Sequence, residues 1–190
     1  MSVPEFAGTL VTVFVGAFLA FFLENLRERR RLKEWLRQYL DQSATMLGHT
    51  ETVFPQVATM LDDMQTQLDG WVAPSPTVPD WDVLNGVPVS RAPDLLGSLQ
   101  GEALSVVRPG VLTSLVAVET SARTLELVST RLESFHDQYV LPLVIRQQVT
   151  LTESDRAGLL LFRSKLADFR LVVSQCAADI AHALQQLRAG

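Results

Sequence analysis

Apolar positions follow two different patterns along this chain. The first is an unbroken run. Phe6 to Leu23 holds eighteen residues without a charge, and Thr9 and Thr12 are its only polar side chains. As a helix this stretch covers about 27 Å, close to the roughly 30 Å of a bilayer core. Residues 1–23 are therefore predicted to be a short tail and one N-terminal transmembrane helix. A cleaved signal peptide fits poorly. Met1 to Glu5 carries no Lys or Arg, and Leu23 runs directly into Glu24-Asn25-Leu26-Arg27 without a small-x-small site. A core helix would carry a polar face, and this run has none.

The second pattern is a helical seam. Leu32, Leu36, Leu40, Leu47, Phe54, Val57, Leu61, Met64, Leu68 and Trp71 recur at three- and four-residue spacing, with Ser43 and Thr50 in the gaps. Residues 24–69 read as a juxtamembrane stalk and the first bundle helices. Gly48 and Pro55 interrupt the seam, and a proline lacks the amide donor and crowds the preceding turn. A kink or break is expected between 48 and 55, and the helix is expected to end near Asp69. Seams of the same period run from Val111 to about Tyr139, with Pro142 bending or ending that helix, and from Leu159 to Leu187. Thr152 with Asp155, or Ser154, is placed to cap the last helix.

Between the seams the pattern is lost. Five of the nine prolines lie at Pro74, Pro76, Pro79, Pro88 and Pro93, and Asn85-Gly86 marks a turn. Residues 70–93 form an irregular connection, too apolar for a free linker. It packs on the domain's own core or on a partner, and Trp71 and Trp81 are its candidate partner residues. Residues 94–190 complete the bundle, beginning with a short helix from Asp94, a possible cap, to Val107. No stretch alternates apolar and polar residues with period two. The predicted fold class is all-α: one span continuing into a cytosolic antiparallel bundle of three to four helices with a Pro-rich loop.

Charge adds an orientation. Arg27, Arg29, Arg30, Arg31, Lys33 and Arg37 follow the apolar run, and basic residues beside a span stay in the cytoplasm. The N-terminus is expected outside and the C-terminal domain inside, across a bacterial inner membrane. Between Gln38 and Val107 the only Lys or Arg is Arg91, against nine acids. That surface repels nucleic acid, which is not expected as a partner. The run itself has a ridge of small residues at Gly8, Thr12, Gly16 and Ala20, which lets a second membrane helix approach closely.

Candidate chemistry is sparse. His49, His136 and His182 lack metal-ligand spacing and read as surface or loop residues. Asp62-Asp63 reads as a solvated face, since neighbours on a helix do not face each other. Cys176, the only cysteine, lies on an apolar seam and reads as core. No catalytic residue, metal site, cofactor site or small-molecule substrate is expected, and the protein is read as no enzyme.

The junction from Gly16 through Ala20 and Asn25 to Glu28 and Arg29 resembles the N-terminal motif of a widespread family of small bacterial single-pass inner-membrane proteins of unknown function. Those proteins read roughly G-x-x-x-A-x-x-x-N-N-W-x-E-x-R, followed by a cytosolic helical region. The resemblance covers about 30 residues, with Glu24 and Leu26 departing from the motif's Asn and Trp. It implies topology and helical class, and no activity. Asn25 and Glu28 stand one turn apart at the membrane edge, where they can bond a partner helix or the interfacial backbone. The expected role is a non-enzymatic accessory or scaffold subunit of a larger membrane complex, an energy-transducing photosynthetic or respiratory one being a possible home. The alternatives are a membrane-tethered sensor or ligand-binding module, or a self-associating homo-oligomer.

Overall fold

The computed structural model describes residues 3–88, 94–97, 99, 104 and 106–189, with side chains from residue 18 onward. All regular structure among them is helical. Helix α1 runs Val3–Val72, α2 Pro109–Phe135, a π-helical turn His136–Val140, α3 Leu141–Ile145 and α4 Glu153–Arg188.

Helix α1 is seventy residues long, which makes it about 105 Å from end to end. The break expected between Gly48 and Pro55 is absent, and the helix continues past Asp69 to Val72. Pro55 is exposed. Its ring and the carbonyl it leaves unbonded therefore face solvent, where water satisfies that oxygen. On the opposite side the seam is intact: Leu47, Leu61, Met64, Leu68 and Trp71 are all buried. The same groove holds the helix on both sides of the proline, so propensity alone does not end it.

Helix α4 is the common partner, packing against both α1 and α2. Asp69 pairs with Arg163 at 2.5 Å and Asp62 with Arg170 at 2.7 Å, so α1 and α4 run antiparallel. Arg108, at the start of α2, donates to the carbonyl of Gln186 at 3.4 Å, so α2 and α4 are antiparallel as well. It follows that α1 and α2 are parallel. The expected all-antiparallel bundle is corrected here: three long helices, two of them parallel. A parallel pair demands a return path as long as the helix, about 40 Å for the 27 residues of α2. That is the physical reason for the long connection between residues 72 and 109.

The connection fills the side of the bundle where α1 and α2 meet least. Leu84, Leu95, Leu99 and Val107 are buried in the core. The Tyr39 hydroxyl donates to the Leu95 carbonyl, and the Asp80 amide donates to Gln67 Oε1 at 2.9 Å. Asp94 accepts the Gly97 amide at 2.7 Å, which closes a turn; residues 94–97 are not helical, so the helix cap expected of it is not formed there. Of the helix expected from Asp94 to Val107, residues 94–97 and 99 are turn, bend or irregular backbone, 104 and 106 are helical, and 98, 100–103 and 105 lie outside the described residues.

Pro142 neither ends its helix nor is left unaccommodated. Just ahead of it the backbone widens into the π turn, and the Leu141 amide reaches back to His136 O. A wider turn moves the carbonyl that the proline ring would strike. The helix then closes after Ile145. Gln147 takes φ 48°, with Gln147 N–H bonded to Val144 O and Gln148 N–H to Leu143 O, both at 3.0 Å. This is a Schellman closure with glutamine in the left-handed position. Helix α4 opens on a capping box. Thr152 Oγ1 accepts the Asp155 amide at 3.2 Å, and Asp155 accepts the Thr152 amide at 2.9 Å.

Among the described residues no helix is long and apolar enough to cross a membrane. The span expected at Phe6–Leu23 falls mostly on residues whose side chains lie outside those described. The same holds for Gly8, Thr12 and Gly16 of the small-residue ridge.

Candidate functional site

Among the described side chains Leu36 is the first buried residue of α1, and the bundle core begins there. Ahead of it α1 continues toward its N-terminus, with Leu32 still packed partly on the core. From residue 18 to 31 every described side chain is exposed. Phe18 and Phe21 keep 69% and 72% of their surface, and Leu19, Phe22 and Leu23 are exposed beside them. Isolated apolar residues on a surface are ordinary, but a contiguous set of large ones marks an interaction surface. Ala20 lies within this set and is exposed.

The polar residues of the junction follow directly. Asn25 and Glu28 line a shallow cleft with Phe21, Glu24, Arg29 and Lys33, and Val106 forms its other wall. Arg27, Arg29, Arg30, Arg31, Lys33 and Arg37 are all exposed. Among the described residues the ion pairs are confined to residues beyond this cluster. The arm thus carries an apolar end followed by six free cations, within about 30 Å of helix.

Trp71 is enclosed in the bundle at 0% exposure, with Trp81 edge-on at 5.3 Å and partly buried. The Trp71 contacts are internal to the core. Sequence reasoning placed His136 on the surface or in a loop, and this is corrected: it is 2% exposed. Nε2 lies 2.8 Å from the carbonyl oxygen of Leu84. A carbonyl only accepts, so Nε2 carries the proton. Nδ1 stands 3.4 Å from Asp137, and the ring lies edge-on to Phe162 at 5.8 Å. Nε2 is thereby committed to the Leu84 carbonyl. The signal for burial was in the sequence, because His136 continues the spacing of Leu125, Ser129 and Leu132.

Asp62, read as part of a solvated face, is about half exposed and paired with Arg170. Glu119, on the flank of the α2 seam, was missed. Its residue is 7% exposed, and Oε1 is held by Arg123 one turn on. Oε2 has no hydrogen-bond partner among the described residues. Burial pushes the Cys176 thiol up from its usual value, which leaves it protonated and unreactive at neutral pH. Burial likewise raises the Tyr39 phenol.

One apolar pocket of about 140 Å³ lies at mid-bundle, lined by Thr50, Phe54, Val57, Pro88, Leu125 and Phe169 among others. It is well below the roughly 300 Å³ at which small-molecule sites begin. Among the described residues no three His, Cys, Asp or Glu side chains converge as metal ligands. Comparison with protein-family models, curated proteins and solved structures finds no match for this chain.

Proposed function

We propose that this chain is a membrane-anchored, non-enzymatic scaffold or accessory subunit. Phe6–Leu23 crosses the bilayer, Arg27–Arg37 meets anionic headgroups on the cytoplasmic side, and the bundle is held off the membrane by α1. The observation that carries this reading is the arm. Phe18 to Leu23 is exposed on α1 ahead of the bundle, and within one or two turns come cations that have no ion pair among the described residues. Hydrocarbon covers such a surface at about 25 cal/mol per Å², and each headgroup-facing cation adds about 1 kcal/mol near an anionic leaflet. The ridge Gly8, Thr12, Gly16 and Ala20 is the docking face for another membrane helix.

Two measurements test it. Full-length protein expressed in bacteria should stay in the membrane pellet through alkaline carbonate; release into the supernatant rejects the anchor. Mild detergent extraction, sizing and mass spectrometry of the native membrane should then show partners in fixed ratio, and Gly16→Ile should lose them. Unchanged co-migration in that variant rejects the ridge as the docking face.

A further inference from the structure

The cleft beside the membrane edge lies along one side of α1, and its charges come in order along the helix. Glu24 and Glu28 stand nearest the apolar run, about 1.5 and 7.5 Å beyond Leu23, and Arg29 and Lys33 follow at about 9 and 15 Å. Asn25 lies between the acids, and Phe21, Leu32 and Val106 are the apolar walls. The two acids stand one turn apart, as do the two bases, and like charges at that spacing repel. Among the described residues none of the four has an ion pair. Glu24 and Glu28 are also the only acids between residues 24 and 31, where Arg27, Arg29, Arg30 and Arg31 are the cations.

Order and length decide what fills it. A lipid headgroup carries its phosphate on the bilayer side of any amine. The cleft presents the reverse, acids deep and bases outward. A second copy does not fit either. Just past the cleft Leu36, Val107 and Val111 are buried together, with Leu187 packed on them, so the connection, α2 and α4 close around α1 there. Helix α1 continues unbroken to Val72, and a second α1 laid parallel at the same depth would run into those ends. What fits is a shorter helix that leaves the bilayer beside α1 and ends or turns before Leu36, within about thirteen residues or about 20 Å. A span's cytosolic flank carries Lys or Arg. Beside Arg27, Arg30 and Arg31 that flank is repelled, and beside Glu24 and Glu28 it is paired.

We propose that this cleft seats the short cytosolic end of a different protein's membrane helix. Its Lys or Arg beside the bilayer pairs with Glu24 and Glu28, and its carboxylates about one turn further out pair with Arg29 and Lys33. An apolar side chain of that helix lies against Phe21, Leu32 and Val106. The proposal deepens the anchored-subunit reading and rests on it. Ala20, Glu24 and Glu28 continue the four-residue step of the small-residue ridge, so a helix docked along the ridge is led into the cleft. Packing in the bilayer supplies the contact area. The cleft supplies the choice of partner, since a helix with the opposite charge order meets like charges at both levels.

The test uses full-length protein in native membranes, with a benzophenone side chain in place of Asn25, and of Arg30 as a control on another face. Illumination should join the Asn25 probe to one protein. The joined peptide, sequenced by mass spectrometry, should be the basic cytosolic flank of an apolar span, and the Arg30 probe should give none of it. Glu24→Lys with Glu28→Lys should cut the yield several-fold, and replacing the partner's flanking cations by Glu should restore it. The added lysines reinforce the cytoplasmic bias of the flank, so topology is unchanged. An adduct with a second copy, with lipid alone or with a protein that lacks a span overturns the proposal. So does equal labelling from the Arg30 position, or a yield indifferent to the charge reversal. Release of the protein by alkaline carbonate overturns the anchor and this inference with it. Lipid adducts alone in membrane-retained protein overturn only this inference.

Discussion

His136→Leu isolates the bond that ties the crossing connection to the bundle. The native imidazole Nε2–H meets Leu84 O at 2.8 Å in a place where both residues are essentially closed to water. Leucine fills most of the volume against Phe162 but has no donor. The Leu84 carbonyl then stays buried and unbonded, which costs about 1–3 kcal/mol. Part of this is returned by the extra apolar burial, so the expected net loss is about 1–2 kcal/mol. For a bundle of this size that is a fall in melting temperature of roughly 3–8 °C. His136→Gln puts an amide N–H near the Nε2 position and should recover more than half of the loss. The measurements are urea unfolding at pH 7 and hydrogen exchange of residues 81–88. Exchange there should speed up in the leucine variant before the rest of the bundle is affected. A leucine variant within about 0.5 kcal/mol of the native protein, well inside the range that a lost buried bond should exceed, would refute the reasoning. So would a glutamine variant no better than leucine.

Three further perturbations follow from local geometry. Pro55→Ala restores a helix hydrogen bond at an exposed interior position and should raise stability by about 1–3 kcal/mol in urea unfolding; a loss would refute the reading that Pro55 is merely tolerated. Gln147→Gly relieves a side chain held at φ 48° and should add about 0.5–1 kcal/mol by thermal unfolding, with no change ruling out strain at that closure. Thr152→Ala removes the α4 cap and should cost about 1 kcal/mol at pH 7. The Thr152 hydroxyl and then its backbone amide hold the Asp155 carboxyl below its usual value. Its contribution is therefore present above about pH 4 and is lost as pH falls through the lowered value. The gap between native and Thr152→Ala protein should narrow below pH 4, and a constant gap would show that the carboxylate takes no part.

Much of the fold was legible in the residues. The seams from Leu36 to Trp71, Val111 to Leu132 and Leu159 to Leu187 carry the burial pattern that periodicity predicts, and the Thr152–Asp155 cap is where the letters place it. The errors share a cause. Pro55 was read by a local rule, and packing on the other side of the helix overrode it. His136 was judged by residue type, although its spacing put it on the seam. Glu119 had no such signal, because it borders a seam and is buried only by the tertiary packing around it.

What the sequence by itself determined is therefore local and periodic: an all-helical chain, which face of each helix is apolar, where α4 begins, and an apolar run followed by a basic cluster. Those properties depend on neighbours within a turn or two, where side-chain spacing and capping act directly. Tertiary structure alone decided that α1 and α2 are parallel and that residues beyond Trp71 return along the gap between them. It also decided that Asp62 and Asp69 reach across to Arg170 and Arg163. A three-four seam records that a helix has a buried face, but it is unchanged when its partner is reversed. The direction of packing comes from which distant residues meet, and no local pattern encodes that.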